Sequence, residues 1–363
     1  MRTGGGASRE RGDRSVVVRP GIGLTVFPAA VRGSAHDGGT SVSAADLIVV
    51  ADDPKYDPDR IREVVDCRVR TADLSTPTAV REHAADADAV VVNVGVSVSA
   101  DVLADLDLRV LARGAVGLDG IDVRAAADHG VQVVHVPEYC LEEVADHAVG
   151  LFTSLARGIP AYADRAEAGT WDWDPPYPIE RLADCTVGLV SFGPIARRFA
   201  DRVAPLVDEV VAADPYVDED VLREHGVERV DFETLCRRAD HLSVHAPLTE
   251  ETRGMVDADV LDALPPHAVV VNTGRGGVVD EVALESALDA GDVAAAGLDV
   301  LETEPPGEDH PLFGREDVVV TSHVGWYSEQ AKRDLNESLA RDIRRAFRDE
   351  EPRGLVDPDA DWL

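Results

Sequence analysis

The chain has 363 residues, 45% of them hydrophobic, enough for two ordinary domains each with its own core. Its 69 acidic residues against 35 basic ones give a formal net charge of -34, a surface that repels phosphate backbones and anionic lipids, so neither nucleic acid nor membrane is expected as a partner. No apolar run approaches the roughly 20 residues of a membrane span and the N-terminus lacks the apolar core of a secretory signal, so a cytoplasmic location is expected.

Lys55 and Lys332 are the only lysines among the cations. An acidic, arginine-dominated surface suits a salt-rich cytoplasm, where at about 1 M salt the screening length shrinks to roughly 3 Å. Four cysteines, Cys67, Cys140, Cys185 and Cys236, lie far apart with no CxxC pair. That spacing suggests neither a disulfide framework nor a metal site, and buried thiols are expected.

Residues 1–43 are rich in Gly, Ser and Arg, with six arginines against three acidic residues, and read as a disordered extension. From Ala45 short β-branched runs alternate with helical segments: "LIVVA" (47–51), "AVVVN" (89–93), "LRVLAR" (108–113) and "VQVVHV" (131–136). A long helix is predicted over 141–157, where Leu141, Val144, Ala145, Ala148, Phe152 and Leu155 mark one apolar face and Gly158 ends it. The alternation restarts with "CTVGLVSF" (185–192) and continues through "EVVAAD" (209–214), "HLSVHA" (241–246), "AVVVNT" (268–273), "AAAGLDV" (294–300) and "DVVVTS" (317–322).

This pattern predicts an α/β protein of two doubly wound parallel-sheet domains. A final helix over 327–348 follows the last strand and is expected to return to the first domain, leaving a cleft between the two. The predicted organisation is 44–145 plus 324–348 for the first domain, 146–323 for the second, and an acidic tail over 349–363.

The second unit opens with "VGLVSFGPIARRFA", a strand, a turn and a helix, where a dinucleotide fingerprint belongs. Ser191, Gly193 and Ala196 stand at its three glycine positions, and Pro194 and Ile195 begin the helix. Asp214 ends the next strand, 21 residues after Gly193, and can accept hydrogen bonds from ribose hydroxyls while repelling a 2'-phosphate. NAD is therefore the expected cofactor.

The segments "VVVNTGRGGVVDEVALESAL" (269–288), "AAGLDVLETEPP" (295–306) and "VVVTSHVGWYSEQA" (318–331) resemble the three signatures of the D-isomer-specific 2-hydroxyacid dehydrogenases. "RGAVGLDGIDVRAA" (113–126) and "VPEYCLEEVADHAVGL" (136–151) are similar to that family's substrate loop and interdomain helix. The WYSEQA ending resembles the branch containing the C-terminal-binding proteins. The resemblance implies a Rossmann-type cofactor domain, a flavodoxin-like substrate domain and a homodimer through the cofactor domains.

It also implies roles. Arg275 would hold the substrate carboxylate and carbonyl, His323 would exchange the hydroxyl proton, and Glu304 would hydrogen-bond His323 and raise its pKa. Ketone reduction needs an acid beside the oxygen, which a histidine poised near neutrality supplies, and a guanidinium grips a carboxylate with two parallel bonds. Thr273 and Asp299 would face the nicotinamide. Arg113 with the backbone of Val116 and Gly117 would line the substrate carboxylate pocket, and Trp326 would narrow it. Gly120 stands where the family often has asparagine.

The leading expectation is reduction of a small 2-oxo acid of the glyoxylate or hydroxypyruvate type. D-3-phosphoglycerate dehydrogenase is the enzyme alternative, opposed by the bulk of Trp326 and by the absence of a regulatory domain after residue 348. Formate dehydrogenase, which carries glutamine at the position of Glu304, is disfavoured. A reading of another class, an NADH-sensing binding protein like the C-terminal-binding proteins, keeps the same triad but lacks an evident peptide-docking module.

Overall fold

The computed structural model describes residues 46–360. The extension expected over 1–43 lies outside the described residues. Five strands, β1 (Leu47–Ala51), β2 (Arg68–Ala72), β3 (Ala89–Val92), β4 (Val110–Arg113) and β5 (Gln132–Val134), form a parallel sheet in the order β2-β1-β3-β4-β5. The order reverses between β1 and β3, the flavodoxin-like arrangement. Strands β1, β3 and β4 are buried throughout because helices cover both faces, which is why they read as unbroken apolar runs. Strand β2 escapes that reading: "RVRTA" sits at the edge and leaves most of its side chains in water.

Seven strands make the second sheet: β6 (Thr186–Val190), β7 (Glu209–Ala213), β8 (Glu228–Arg229), β9 (His241–Val244), β10 (Val269–Asn272), β11 (Ala295–Leu298) and β12 (Val318–Val320). Their order, β12-β11-β10-β9-β6-β7-β8, runs outward in both directions from β6 and β9, and a crevice opens at the carboxyl ends of strands at such a switch point. The two-residue edge strand β8 is too short and too charged to show in a sequence pattern.

The helix Leu141–Ala156 links the sheets. Its predicted face, from Leu141 to Leu155, is buried, and Gly158 ends it in the left-handed region at φ 62°. It packs on β11 so closely that a Cβ on Gly297 would lie 2.9 Å from Leu155 and 3.0 Å from Leu151. The last helix, Glu329–Phe347, begins with Ser328 accepting from Ala331 N, and returns to the first sheet. Leu335, Leu339, Ala340, Ile343 and Phe347 join the core built on β1 to β5. Buried Asn336 fixes the docking, accepting from Asp57 N at 2.7 Å and donating to the Lys55 carbonyl at 2.9 Å.

The acidic tail expected from residue 349 onward is corrected within the described residues. Leu355 bridges Val134 in antiparallel sense, Val356 N donates to the Val133 carbonyl, and Val356 is buried. The Asp342 carboxylate accepts from Arg353 N and Gly354 N, both at 2.9 Å. A short apolar stretch beside a free strand edge outweighs the surrounding charge.

Candidate active site

Three consecutive strands of the second sheet deliver the candidate residues at their carboxyl ends. After β10, buried Asn272 shapes the turn, accepting from Gly274 N and donating to the Arg275 carbonyl, both at 3.0 Å. Gly276 has no room for a side chain, because a Cβ there would fall 1.9 Å from the carbonyl carbon of Leu301. The Arg275 guanidinium emerges from this turn beside a cleft of about 350 Å³ whose lining includes Gly117, Leu118, Asp119, Pro247 and Leu248.

After β11 comes Asp299, 3% exposed. Its Oδ1 accepts from Thr321 Oγ1 at 2.6 Å and Val324 N at 2.9 Å, and its Oδ2 from Gly325 N at 2.9 Å. Burial pushes this carboxyl up, but the donors His147, Thr321, Gly325 and Val324 together outweigh burial and hold it below the usual carboxylate range. The clamp governs the loop after β12, where His323 adopts φ 54°, a left-handed conformation that costs a side-chain-bearing residue roughly 1–2 kcal/mol. His323 N donates to the Asp299 carbonyl at 2.8 Å.

The His323 imidazole meets Glu304 with Nδ1 2.7 Å from Oε2, and Glu304 Oε1 accepts from Leu301 N at 3.0 Å. Burial raises the Glu304 carboxyl, but His323, the Leu301 N–H and the Arg275 charge outweigh it and leave the group depressed. An ionised carboxylate only accepts, so Nδ1 carries the imidazole proton and Nε2 is left for exchange.

Arg275 faces a residue that sequence reading missed. Its Nε and Nη2 donate to Asp119 Oδ2 at 3.2 and 3.1 Å, and Nη1 donates to the Gly274 carbonyl at 2.9 Å. Gly117 lies against the same guanidinium, since a Cβ there would be 1.9 Å from Nη2. Asp119 lies inside the recognisable loop 113–126, but its partner is 156 residues away.

Arg113, expected in the carboxylate pocket, lies behind Asp119, within reach of the charges of Asp119 and Arg275. It is fully buried and spends its guanidinium on carbonyls, with Nη1 on Asn93, and Nη2 on Val96 at 3.2 Å and Asp119 at 2.8 Å. Strand β4 ends beneath the loop, so the arginine braces the loop backbone. Burial lowers its pKa from the ordinary guanidinium value. The Val116 carbonyl is engaged by His135 Nδ1 at 2.8 Å. The Val116 side chain joins Tyr139, Cys140, Ile195 and Trp326 in one apolar cluster, with the Tyr139 and Trp326 rings 6.2 Å apart.

At the fingerprint, Ser191 has φ 74°, so the turn demands the glycine conformation although serine fills it. Gly193 caps the helix Pro194–Val203, and nothing lies within 4 Å of where its Cβ would be. Asp214 lies beneath this turn, its Oδ2 accepting from Phe192 N at 2.8 Å and Ser191 Oγ at 3.1 Å, and its Oδ1 from Tyr216 N and Val217 N. Thr273 is 8% exposed, and its Oγ1 has no hydrogen-bond partner among the described residues.

Comparisons place this arrangement among known proteins. Residues 149–325 match the family model described as D-isomer specific 2-hydroxyacid dehydrogenase, NAD binding domain. The chain is 35% identical over 311 residues to a D-3-phosphoglycerate dehydrogenase of Methanocaldococcus jannaschii, covering 85% of this chain and 59% of that protein. It is 40% identical over 263 residues to the Mycobacterium tuberculosis D-3-phosphoglycerate dehydrogenase, covering 72% of this chain and 49% of the relative. The chain thus spans between half and three-fifths of the length of these relatives. Glycerate dehydrogenase of Methylorubrum extorquens is 34% identical over 290 residues, 78% of this chain and 89% of that protein. Among solved structures, the TT0316 protein of Thermus thermophilus aligns with TM-score 0.77 at 28% identity, covering 86% of this chain and all of that one. With its signatures on adjacent strand ends and a relative matched over nearly its whole length, the chain belongs to the D-isomer-specific 2-hydroxyacid dehydrogenase family.

Proposed function

We propose that this chain is an NAD-dependent D-2-hydroxyacid dehydrogenase acting on a small 2-hydroxy or 2-oxo acid, with Arg275, Glu304 and His323 as its catalytic residues. The observation that carries the reading is the 2.7 Å contact of His323 with Glu304 on the loops that also deliver Arg275. The open turn at Gly193 and the orphaned buried hydroxyl of Thr273 fit a dinucleotide. Ser191, Gly193, Pro194, Ile195, Asp214, Thr273 and Asp299 would hold it, with helix Pro194–Val203 presenting its amino end to the pyrophosphate. NAD held there would supply or accept the hydride exchanged with the substrate's α-carbon. His323 Nε2 moves the hydroxyl proton, Glu304 accepts from Nδ1 and holds the ring in place, and Arg275 grips the carboxylate and polarises the carbonyl.

The substrate side favours a small uncharged tail. Tyr139 and Trp326 form an aromatic wall, and Asp119 sets a negative charge beside Arg275. This supports an acid of the glyoxylate or hydroxypyruvate type. The second reading, D-3-phosphoglycerate dehydrogenase, is favoured by the several relatives of that name. The same proposal includes a homodimer, for which Trp171 and Trp173, 94% and 84% exposed, offer apolar surface to cover.

His323→Ala tests the assignment. Turnover should fall by about three orders of magnitude while NADH binding, followed by fluorescence, stays within about twofold. Loss of NADH binding in folded variant would instead make His323 a structural residue.

A further inference from the structure

At the amino ends of the second sheet's strands, away from the cleft, three residues distant in sequence converge. Cys185 precedes β6, Asp240 precedes β9 and His267 precedes β10, and these three strands are neighbours in the sheet. The Cys185 thiol, one oxygen of Asp240 and an imidazole nitrogen of His267 all lie within 4.8 Å of one another. Asp240 is already oriented: Oδ2 accepts from Thr186 N at 2.7 Å, and Oδ1 faces His267 Nε2 at 3.1 Å. Cys185 is buried, whereas the Asp240 and His267 side chains keep 30% and 18% exposure, which gives an ion a route in from solvent. Beside them His241 is 3% exposed and stands edge-on to His267 at 5.8 Å between ring centroids. Its Nδ1 accepts from Val269 N, so its proton sits on Nε2, which has no partner among the described residues.

We propose that Cys185, Asp240 and His267 bind a divalent transition-metal ion of the zinc class. A thiolate, an imidazole and a carboxylate make a borderline-soft donor set that suits zinc or cobalt and disfavours calcium and magnesium, which prefer oxygen alone. Ligand atoms held about 2.0–2.3 Å from one ion need only a small contraction of the present cluster, and a solvent molecule completes a tetrahedron. The ion takes the place of the proton shared by His267 and Asp240; the imidazole stays neutral with its proton on the other nitrogen, the thiol proton passes to solvent, and nothing is oxidised or reduced. Coordination requires the thiolate, so binding releases the Cys185 thiol proton to solvent. The ion would tie together the starts of three adjacent strands, which makes its effect one of stability. No CxxC spacing announces the site, because each ligand comes from a different strand.

The full reduced chain is titrated with Co(II), following the near-ultraviolet thiolate-to-cobalt band and the metal retained after desalting. One cobalt per chain with that band is expected, displaced by Zn(II), lost in Cys185→Ser and at least about tenfold weaker in His267→Ala. Cys67→Ser, whose thiol lies by β2 in the other sheet, should keep the band. In melting curves, Zn(II) should raise the Tm of the wild type and leave that of Cys185→Ser unmoved. Absence of the thiolate band in the wild type, or its survival in Cys185→Ser, overturns the proposal.

Discussion

Arg275 and Asp119 face each other across the cleft, with both Nε and Nη2 of the guanidinium within 3.2 Å of a single carboxylate oxygen. Asp119 follows β4 of the first sheet and Arg275 follows β10 of the second, so the ion pair joins the two halves. Burial opposes the ionised form of Asp119, but the charge and hydrogen bonds of Arg275, with Arg113 behind, hold the carboxyl below its usual range. An internal carboxylate therefore sits where Arg275 would receive the carboxylate of a substrate.

Asp119→Asn should accordingly weaken an internal competitor. The side chain is about half exposed, at 46%, so the effect is screened and small. KM for a 2-oxo acid should fall about threefold to fivefold with kcat nearly unchanged, read from initial rates. A rise in KM would show that Asp119 positions Arg275 for the substrate and does not compete with it.

The serine in the nucleotide turn yields a second test. Ser191 is held at φ 74° and donates to Asp214 Oδ2, an oxygen of the carboxylate expected to meet the ribose. Ser191→Gly removes the backbone penalty, about 1 kcal/mol, and leaves that oxygen with the Phe192 N–H as its one remaining donor among those described. The variant should melt a few degrees higher and bind NADH several-fold more tightly, checked by thermal unfolding and fluorescence titration. Weaker binding would mean that the hydroxyl itself contacts the cofactor.

Asp299 links stability to pH. Its folded pKa is depressed, so its contribution is complete above the unfolded value, about 3.9, and is lost as pH falls through the folded value. Asp299→Asn should cost about 2–4 kcal/mol at pH 7, because the amide NH2 must face either the Val324 N–H or the Gly325 N–H, donor against donor, and the charge is lost. The Tm difference from wild type should shrink in acid, below about pH 3.9. A difference that does not change with pH would remove the ionised clamp from the account.

Much of this architecture was legible in the sequence, and the gaps have physical causes. Runs such as "LIVVA" and "AVVV" show themselves because helices cover both faces of β1 and β3, and Arg275, Glu304 and His323 stand out because each falls within a contiguous signature. Strands β2 and β8 did not, because an edge strand alternates with water and needs no apolar run. The carbonyl partners of Arg113 were not legible, because an arginine ending a strand looks the same in sequence whether it points into a cleft or turns beneath a loop to bind carbonyls. Asp119 and the Cys185 cluster depend on partners far along the chain, which no local pattern encodes.

The charge of -34 carries its own expectation. Raising KCl from about 0.1 to 2 M screens self-repulsion over the surface and should raise the Tm by roughly 10 °C or more. A Tm that is flat or falling across that range would contradict adaptation to salt.

The central claim is that this cleft reduces a 2-oxo acid. Its most direct test is NADH oxidation by the purified full chain in about 2 M KCl, across glyoxylate, hydroxypyruvate, pyruvate, phosphohydroxypyruvate and longer 2-oxo acids. The account predicts turnover, with glyoxylate or hydroxypyruvate preferred over phosphohydroxypyruvate. Silence across the whole panel from folded protein that binds NADH would contradict it.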